Sequence, residues 1–179
     1  FRSFFLFVAG ILAYPSAASA ASASEINRDV NAALQKLYAS SPAAQELKKV
    51  AKGVLVFPRI VKGGFVVGGQ YGEGALRKDG KTVAYYNSVA ASYGLQAGVQ
   101  AFGYAMFFLS DSALKYLDKS AGWEIGVGPS VVVVDEGLAR SLTTTTAKDD
   151  IYVFFFDQKG LMAGLGVQGS KITRIHPKK

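Results

Sequence analysis

The stretch GGFVVGGQYGEGAL, residues 63–76, contains six glycines in fourteen positions, and its interpretation decides the fold. A phosphate-binding loop would require a helix after it and usually a Lys-Ser/Thr pair. Gly74 is instead followed by ALRKDGKTV, in which Asp79-Gly80 favours a β-turn because both residues tolerate positive φ. The third glycine of a dinucleotide-binding fingerprint would fall at Arg77. The stretch therefore predicts a glycine-rich strand of a hairpin and argues against a nucleotide site.

Glycine recurs at near-strand spacing in three separate places, at positions 68/72/74, 94/98 and 164/166/169. Inside a strand, glycine costs about 0.5–1 kcal/mol relative to alanine, so the fold must benefit from it. Rows of glycine allow another element to approach closely, or allow long strands to bend into a barrel. We therefore expect an α+β fold, with a strongly curved, largely antiparallel, Gly-rich sheet or partial barrel. N-terminal helices and one short helix are expected to pack against this sheet.

The helices are predicted from caps followed by apolar spacing. Ser22 and Glu25 form a capping-box pattern before a helix over residues 24–39. Ser41-Pro42 predicts the start of a second helix that reaches about residue 51. A third, short helix follows residue 110, with three residues facing inward: Ala113, Leu114 and Leu117.

Strand periodicity dominates the remainder of the chain. A first short strand, residues 54–57, is expected to stop at Pro58, and the Asp79-Gly80 hairpin joins residues 65–77 and 82–87. Further strands are predicted at 95–101, at 123–134, and at 151–156 and 161–168 around a second hairpin turn, DQKG. Asp135-Glu136 and Asp149-Asp150 are interpreted as turn residues in preference to paired catalytic carboxylates.

The composition narrows the possible functions. The chain of 179 residues has no cysteine and one histidine, His176, near its C-terminus, so a thiolate or histidine metal site and a Ser-His-Asp triad are disfavoured. No nucleophile–base pair, metal site or cofactor is predicted, and the chain is expected not to be an enzyme. The net charge of +7 favours polyanionic partners. Nucleic acid is not expected, because the arginines are scattered without a recognition motif.

The N-terminal residues resemble an export signal. Arg2 precedes an apolar run at residues 4–12, and Ala18-Ser19-Ala20 matches an A-x-A cleavage site. The run is too short to span a bilayer, which takes about 20 residues. Residues 1–20 are therefore either a removable export signal or a retained apolar segment, and residues 21–179 are expected to form one domain. Export to the periplasm or cell envelope, in association with a membrane, is the expected localisation.

Three spaced motifs resemble the SYLF domain family of lipid-binding proteins, in its bacterial, exported branch. The motifs are AKGVLVFPRIVKGGFVVGGQYGEGAL, SYGLQAGVQAFGYAMFFLSDSALKYL and IYVFFFDQKGLMAGLGVQGSKI, which together cover roughly residues 45–175. The chain departs from the family in having AYYNSV where a W-S-x-P-type stretch is common, and it has no lipid-bearing cysteine. The resemblance implies a non-catalytic domain that binds anionic phospholipids, phosphoinositides in eukaryotic members. Some eukaryotic members also bind actin, which is not expected of an exported chain.

Basic residues in two segments without acids are the candidate contacts for an anionic phospholipid or membrane surface. They are Lys48, Lys49, Lys52, Arg59, Lys62, Lys171 and Arg174. Each basic residue near an anionic surface contributes about 1 kcal/mol, so charge alone gives weak binding and apolar contact must add to it. The candidate apolar contacts are Phe65, Met106, Phe107, Phe108, Phe154 and Phe155.

Simpler interpretations of these residues remain open. Lysines such as Lys48 and Lys49 also suit the solvated face of a helix, and phenylalanines at strand spacing also suit a core. The alternative function is a structural module that packs on a protein partner or on a second copy. Its interface would then be the Gly-rich sheet and the apolar N-terminal segment.

Overall fold

The computed structural model describes residues 20–62, 67–93, 101–156 and 167–179. The helices in these ranges are α1 (Ala23–Ser40), α2 (Pro42–Lys48), α3 (Asp111–Lys119) and α4 (Glu136–Ser141). The strands are β1 (Gly53–Lys62), β2 (Val67–Lys78), β3 (Lys81–Tyr93), β4 (Ala101–Phe108), β5 (Trp123–Glu124), β6 (Val131–Val133), β7 (Ile151–Phe155) and β8 (Lys171–Ile175). They form a single sheet in the order β5-β8-β3-β2-β1-β4-β7-β6. The sheet is strongly curled into a half-barrel, which confirms the predicted α+β class.

The strand pairs are antiparallel throughout the described ranges except for β6 and β7, which run parallel. The central hairpin joins β2 and β3 through Asp79-Gly80, whose φ angles are 52° and 76°. Asp79 and Gly80 therefore occupy the left-handed region that the predicted turn requires.

Both faces of the sheet are covered over part of its area, because strand residues alternate between two cores. Leu55 and Phe57 of β1 point into the core that α3 covers with Ala113, Leu114 and Leu117. Val54 and Val56 point to the opposite face, where α1, α2 and α4 pack. This alternation explains why β1 appears in the sequence as a continuous apolar run.

Helix α1 begins at the predicted capping box. The Ser22 hydroxyl accepts a hydrogen bond from the Glu25 backbone N–H at 3.3 Å, and the Glu25 carboxylate accepts one from the Ser22 backbone N–H at 3.0 Å. Ser41 caps α2 and Pro42 is its first residue, as predicted, although α2 ends at Lys48. The third predicted helix is α3, and its three predicted core residues are buried.

Two of the predicted strand boundaries are wrong. Strand β1 does not stop at Pro58 but continues to Lys62, because the register with both neighbours shifts there and accommodates the proline. Residues 123–134 do not form one strand. Gly126 and Gly128 have φ of 109° and 81°, and these conformations separate β5 from β6.

Two elements were not predicted. Asp135 caps helix α4 by accepting a hydrogen bond from the Leu138 backbone N–H at 2.8 Å, so it acts as a helix cap instead of a turn residue. Strand β8 lies between β3 and β5. The predicted strand at 95–101, except for Ala101, and most of the second predicted hairpin lie outside the described residues.

Glycines on β2 allow the sheet to curl at the β1–β2 pair. A Cβ at Gly72 would meet the Arg59 carbonyl oxygen and the Ile60 side chain, and one at Gly74 would meet the Val56 carbonyl oxygen. A Cβ at Gly69, on the same strand, would meet only the Ala90 carbonyl oxygen, at a distance of 4.0 Å. Close backbone approach is therefore the reason for glycine at positions 72 and 74, as the sequence predicts.

Candidate functional site

A cleft of about 360 Å³ opens where the C-terminal part of α1 meets the α2–β1 connection and the β2–β3 turn. We call it the cationic cleft, because three of its lining side chains are basic. Its lining residues are Leu34, Tyr38, Lys48, Ala51, Lys52, Gly53, Val54, Arg77, Asp79 and Gly80. The α1–α2 turn and the β1–β2 pairing bring these residues together from four elements.

Lys48 and Tyr38 form one wall of the cationic cleft. The Lys48 ammonium nitrogen lies 4.6 Å from the centroid of the Tyr38 ring. At an exposed site such a cation–π contact contributes about 0.5–1 kcal/mol. Burial raises the pKa of Tyr38 to about 12, so its phenol stays neutral at physiological pH. This wall thus offers a positive charge above an aromatic surface.

Arg77 also lines the cationic cleft, and α1 holds it in place. Its Nη1 donates to the Asn31 side-chain oxygen at 2.7 Å, and its Nη2 donates to the Asn27 carbonyl oxygen at 3.3 Å. Burial lowers the pKa of Arg77, yet arginine stays charged in proteins. Its Nε–H is buried and finds no acceptor within the described ranges. A buried donor without a partner is costly, so an anionic group in the cleft would stabilise Arg77.

Asn27 fixes the position of α1 against the hairpin. Its amide nitrogen donates to the Tyr85 hydroxyl at 2.8 Å, and its amide oxygen accepts from the Thr82 hydroxyl at 2.8 Å. Both partners belong to β3, so α1 is tied to the strand that follows the hairpin turn. This anchoring keeps Asn27 and Asn31 of α1 within hydrogen-bond distance of Arg77.

The charge in the cationic cleft is predominantly positive. Lys48, Lys52 and Arg77 line it together with a single carboxylate, that of Asp79. Lys49 is different, because its ammonium group forms a 2.8 Å ion pair with Glu46. The structure therefore joins two of the predicted basic residues, Lys48 and Lys52, and adds Arg77.

The other predicted basic residues lie elsewhere. Arg59 and Lys62 are near the far end of β1, about 23 and 33 Å from Lys52 along the strand. Lys171 and Arg174 belong to β8, which is separated from β1 by β2 and β3, a distance of about 15 Å. The predicted set is thus divided among three regions of the fold, and a role of these four residues in head-group binding stays a prediction.

The predicted apolar contacts are core residues where the structure describes them. Met106, Phe107, Phe108, Phe154 and Phe155 are all at most 8% exposed. Phe107 packs edge-on to Phe154, with ring centroids 5.1 Å apart. Phe65 lies outside the described residues. Contact of these side chains with lipid would require the cores to open, and it stays untested.

Arg77 was not predicted as a site residue, because it lies between Glu73 and Asp79 and not in a basic segment without acids. The hairpin contained a usable signal. Strands β1 and β2 are antiparallel, so the end of β2, just before the Asp79-Gly80 turn, lies opposite the start of β1. Arg77 accordingly pairs with Val54. That register places Arg77 beside Lys52, which immediately precedes the strand.

Neither a metal site nor a membrane-spanning helix occurs in the described ranges. No group of three or more His, Cys, Asp or Glu side chains there is arranged to hold a metal ion. None of the helices in those ranges combines the length and hydrophobicity needed to span a bilayer.

The fold and the cationic cleft define a β-rich α+β domain with a geometry suited to binding an anion. A family model described as "Ysc84: Las17-binding protein actin regulator" matches residues 89–176. Residues 89–176 therefore match the SYLF (Ysc84) domain family, in agreement with the resemblance of the motifs, and SYLF domains are binding domains. No curated protein matches the chain. The residues that line the cationic cleft all precede the matched segment.

Proposed function

We propose that this protein binds anionic phospholipids, without catalysis, at a membrane surface of the cell envelope. The lipid phosphate occupies the cationic cleft, where Lys48, Lys52 and Arg77 surround it. The observation that carries this proposal is the convergence of Arg77, Lys48 and Lys52 on one cleft, where the buried Arg77 Nε–H has no acceptor among the described residues. Export to the envelope is part of the proposal and is supported by the apolar N-terminal segment alone.

The strength of binding follows from combining charge with apolar contact. Three basic residues contribute about 3 kcal/mol against an anionic surface, which is weaker than millimolar affinity. Leu34 and Tyr38 line the same cleft and offer an apolar surface to the part of the lipid next to its head. Two weak signals acting together are what stable peripheral membrane binding requires.

Cosedimentation with vesicles tests the proposal. The protein should bind vesicles that contain phosphatidylglycerol or phosphatidylserine, should not bind pure phosphatidylcholine vesicles, and should dissociate as salt rises. A Lys48→Gln/Lys52→Gln double variant should lose about tenfold or more in affinity. Lys49→Gln is the matched control, because this neighbouring lysine is paired with Glu46 and should change affinity less than twofold. Equal binding of the double variant and the control would reject the cationic cleft as the site.

The family description names a protein partner, so a protein-binding module is the second candidate function. The exposed apolar side chains of Val61, Tyr71 and Val89, which are neighbours on β1, β2 and β3, favour it. Binding that ignores both vesicle charge and salt, together with saturable binding to a protein of the same envelope, would favour this second candidate.

A further inference from the structure

A second cavity, of about 420 Å³, lies at the opposite end of α1 from the cationic cleft. We call it the N-terminal cavity, because it forms where α1 begins and faces β1 and β2. Its lining residues are Ala20, Ala21, Ile26, Asp29, Pro58, Arg59, Val61, Tyr71, Gly72 and Glu73. Its walls are largely apolar, and the two carboxylates of Asp29 and Glu73 outnumber the single cation, Arg59.

An exposed row of large apolar side chains continues from this cavity across the sheet. Val61 pairs with Tyr71, and Tyr71 pairs with Val89, so the three side chains lie side by side on β1, β2 and β3. They are 47%, 46% and 45% exposed, unlike the strand residues beneath α1. The row spans two inter-strand spacings, about 10 Å. We call these three residues the apolar row.

Two side-chain oxygens at this end of the sheet receive no hydrogen bond from the part of the chain that the structure describes. The Tyr71 hydroxyl donates to Glu73 Oε1 at 2.8 Å, and the Asn87 side chain also hydrogen-bonds Tyr71. Burial, followed by the Glu73 carboxylate, raises the pKa of Tyr71, which keeps the phenol a donor at neutral pH. Glu73 Oε2 and Asn87 Oδ1 are buried, and neither accepts a hydrogen bond from any described residue. Glu73 and Asn87 are direct cross-strand partners, so their side chains lie on the same face.

We propose that the N-terminal cavity binds an amphiphile with a primary ammonium head. The N–H groups of the head donate to Glu73, which lines the cavity, and to Asn87, the cross-strand neighbour of Glu73 on β3, and the hydrocarbon tail lies along the apolar row. This site is separate from the proposed phospholipid site, because the two cavities lie at opposite ends of α1. The charged side chains that line them are mainly acidic in the N-terminal cavity and mainly basic in the cationic cleft.

The chemistry of the lining distinguishes this head group from other cations. A hard divalent cation takes six or more oxygen ligands, whereas the cavity has two carboxylates among apolar walls. A quaternary ammonium has no N–H group and would leave both acceptors unsatisfied. A primary ammonium has three donors and a positive charge, which match a carboxylate oxygen and an amide oxygen.

Calorimetric titration of the full chain with octylammonium and octyltrimethylammonium tests the head-group assignment without any variant. The two probes share charge and tail, and the primary ammonium should bind at least tenfold more tightly. Comparison with butylammonium tests the apolar row, since each buried methylene contributes up to about a fourfold gain in affinity. Equal affinities for the two octyl probes, or no gain with tail length, would overturn the proposal.

Variants then locate the site. Glu73→Gln should lower octylammonium affinity about tenfold, whereas Glu46→Gln, which removes a carboxylate on α2, should leave it unchanged. Equal losses in the two variants would overturn the assignment to Glu73. The protein could also form a dimer that Val89→Ser dissociates and that octylammonium does not disturb. This result would assign the apolar row to contact with a second copy and would overturn the amphiphile proposal.

Phosphatidylcholine vesicles with and without phosphatidylethanolamine identify the source of the head group. Glu73-dependent binding to the ethanolamine vesicles supports a lipid amine, and binding of the soluble probe alone supports a free amine. Loss of anionic-vesicle binding in the Lys48/Lys52 variant leaves these measurements unchanged, so failures of the two proposals are distinguishable.

Discussion

Arg77 and Asn31 are joined by a 2.7 Å hydrogen bond between the guanidinium Nη1 and the side-chain oxygen, across 46 residues of sequence. This bond ties the first helix to the end of the central hairpin. It thereby helps to form the cationic cleft, in which Arg77 of the hairpin lies with Tyr38 of α1 and with Lys48 and Lys52 of α2 and its connection to β1. The cleft is a property of how the helix docks on the sheet.

Replacement of Arg77 should affect both stability and lipid binding. Arg77→Gln removes two hydrogen bonds to α1, so we expect a loss of about 1–3 kcal/mol in the free energy of unfolding. Under conditions where the variant remains folded, its affinity for anionic vesicles should fall about fivefold through the lost charge. Chemical denaturation and vesicle titration measure the two effects.

The Arg77→Lys variant separates the effect of the positive charge from that of the planar guanidinium group. Lysine retains the positive charge but lacks the planar donor arrangement, so stability should fall while part of the vesicle affinity remains. Arg140→Gln is the control, because Arg140 is exposed in the last turn of α4, away from the cleft. A vesicle affinity of Arg77→Gln equal to that of Arg140→Gln would contradict the role of Arg77.

The glycines of β2 should differ in their tolerance of a methyl group. Gly74→Ala places a Cβ against the Val56 carbonyl oxygen and the Phe57 ring, so the curled sheet must shift. We expect a destabilisation of about 2–3 kcal/mol, typical of overpacking. Gly69→Ala meets only the Ala90 carbonyl oxygen at 4.0 Å and should be neutral or stabilising by up to about 1 kcal/mol. Thermal and chemical unfolding of both variants measures this difference, and similar costs at the two positions would refute the close-approach explanation.

Asp150 should make stability depend on pH in the acid range. Its carboxylate accepts hydrogen bonds from the Ser130 backbone N–H at 3.1 Å and from the Ser110 hydroxyl at 2.8 Å. These bonds, that from the Ser130 backbone foremost, lower the pKa of Asp150 below its ordinary value of 3.8. Because the folded-state pKa is depressed, the stabilisation is complete well above pH 3.8 and is lost as pH falls through the folded-state pKa.

The Asp150→Asn variant tests this dependence. The difference in unfolding free energy between wild type and variant should be largest near neutral pH and should shrink below about pH 4. Asp29→Asn is the control, because Asp29 is an exposed carboxylate paired with the exposed Arg28. A difference between wild type and Asp150→Asn that stays constant from pH 7 to pH 3 would show that this carboxylate does not titrate as proposed.

The sequence alone determined the local elements of this protein. Caps and turns act within a few residues, so Ser22, Ser41-Pro42 and Asp79-Gly80 sufficed to predict α1, the start of α2 and the central hairpin. Glycine at 72 and 74 predicted a curved sheet, because removal of side chains at strand spacing permits close backbone approach. The motifs were sufficient to indicate the SYLF family.

Tertiary structure decided which residues meet. Basic residues that are near each other in sequence, such as Lys52 and Lys62, lie at opposite ends of β1 because an extended strand advances about 3.3 Å per residue. Arg77, distant in sequence, joins Lys48 and Lys52 because antiparallel pairing returns the chain to its starting point. Burial of both sheet faces likewise placed the phenylalanine runs in the cores, since helices from distant segments cover each face. Long-range pairing and packing, which no local pattern encodes, therefore set both cavities.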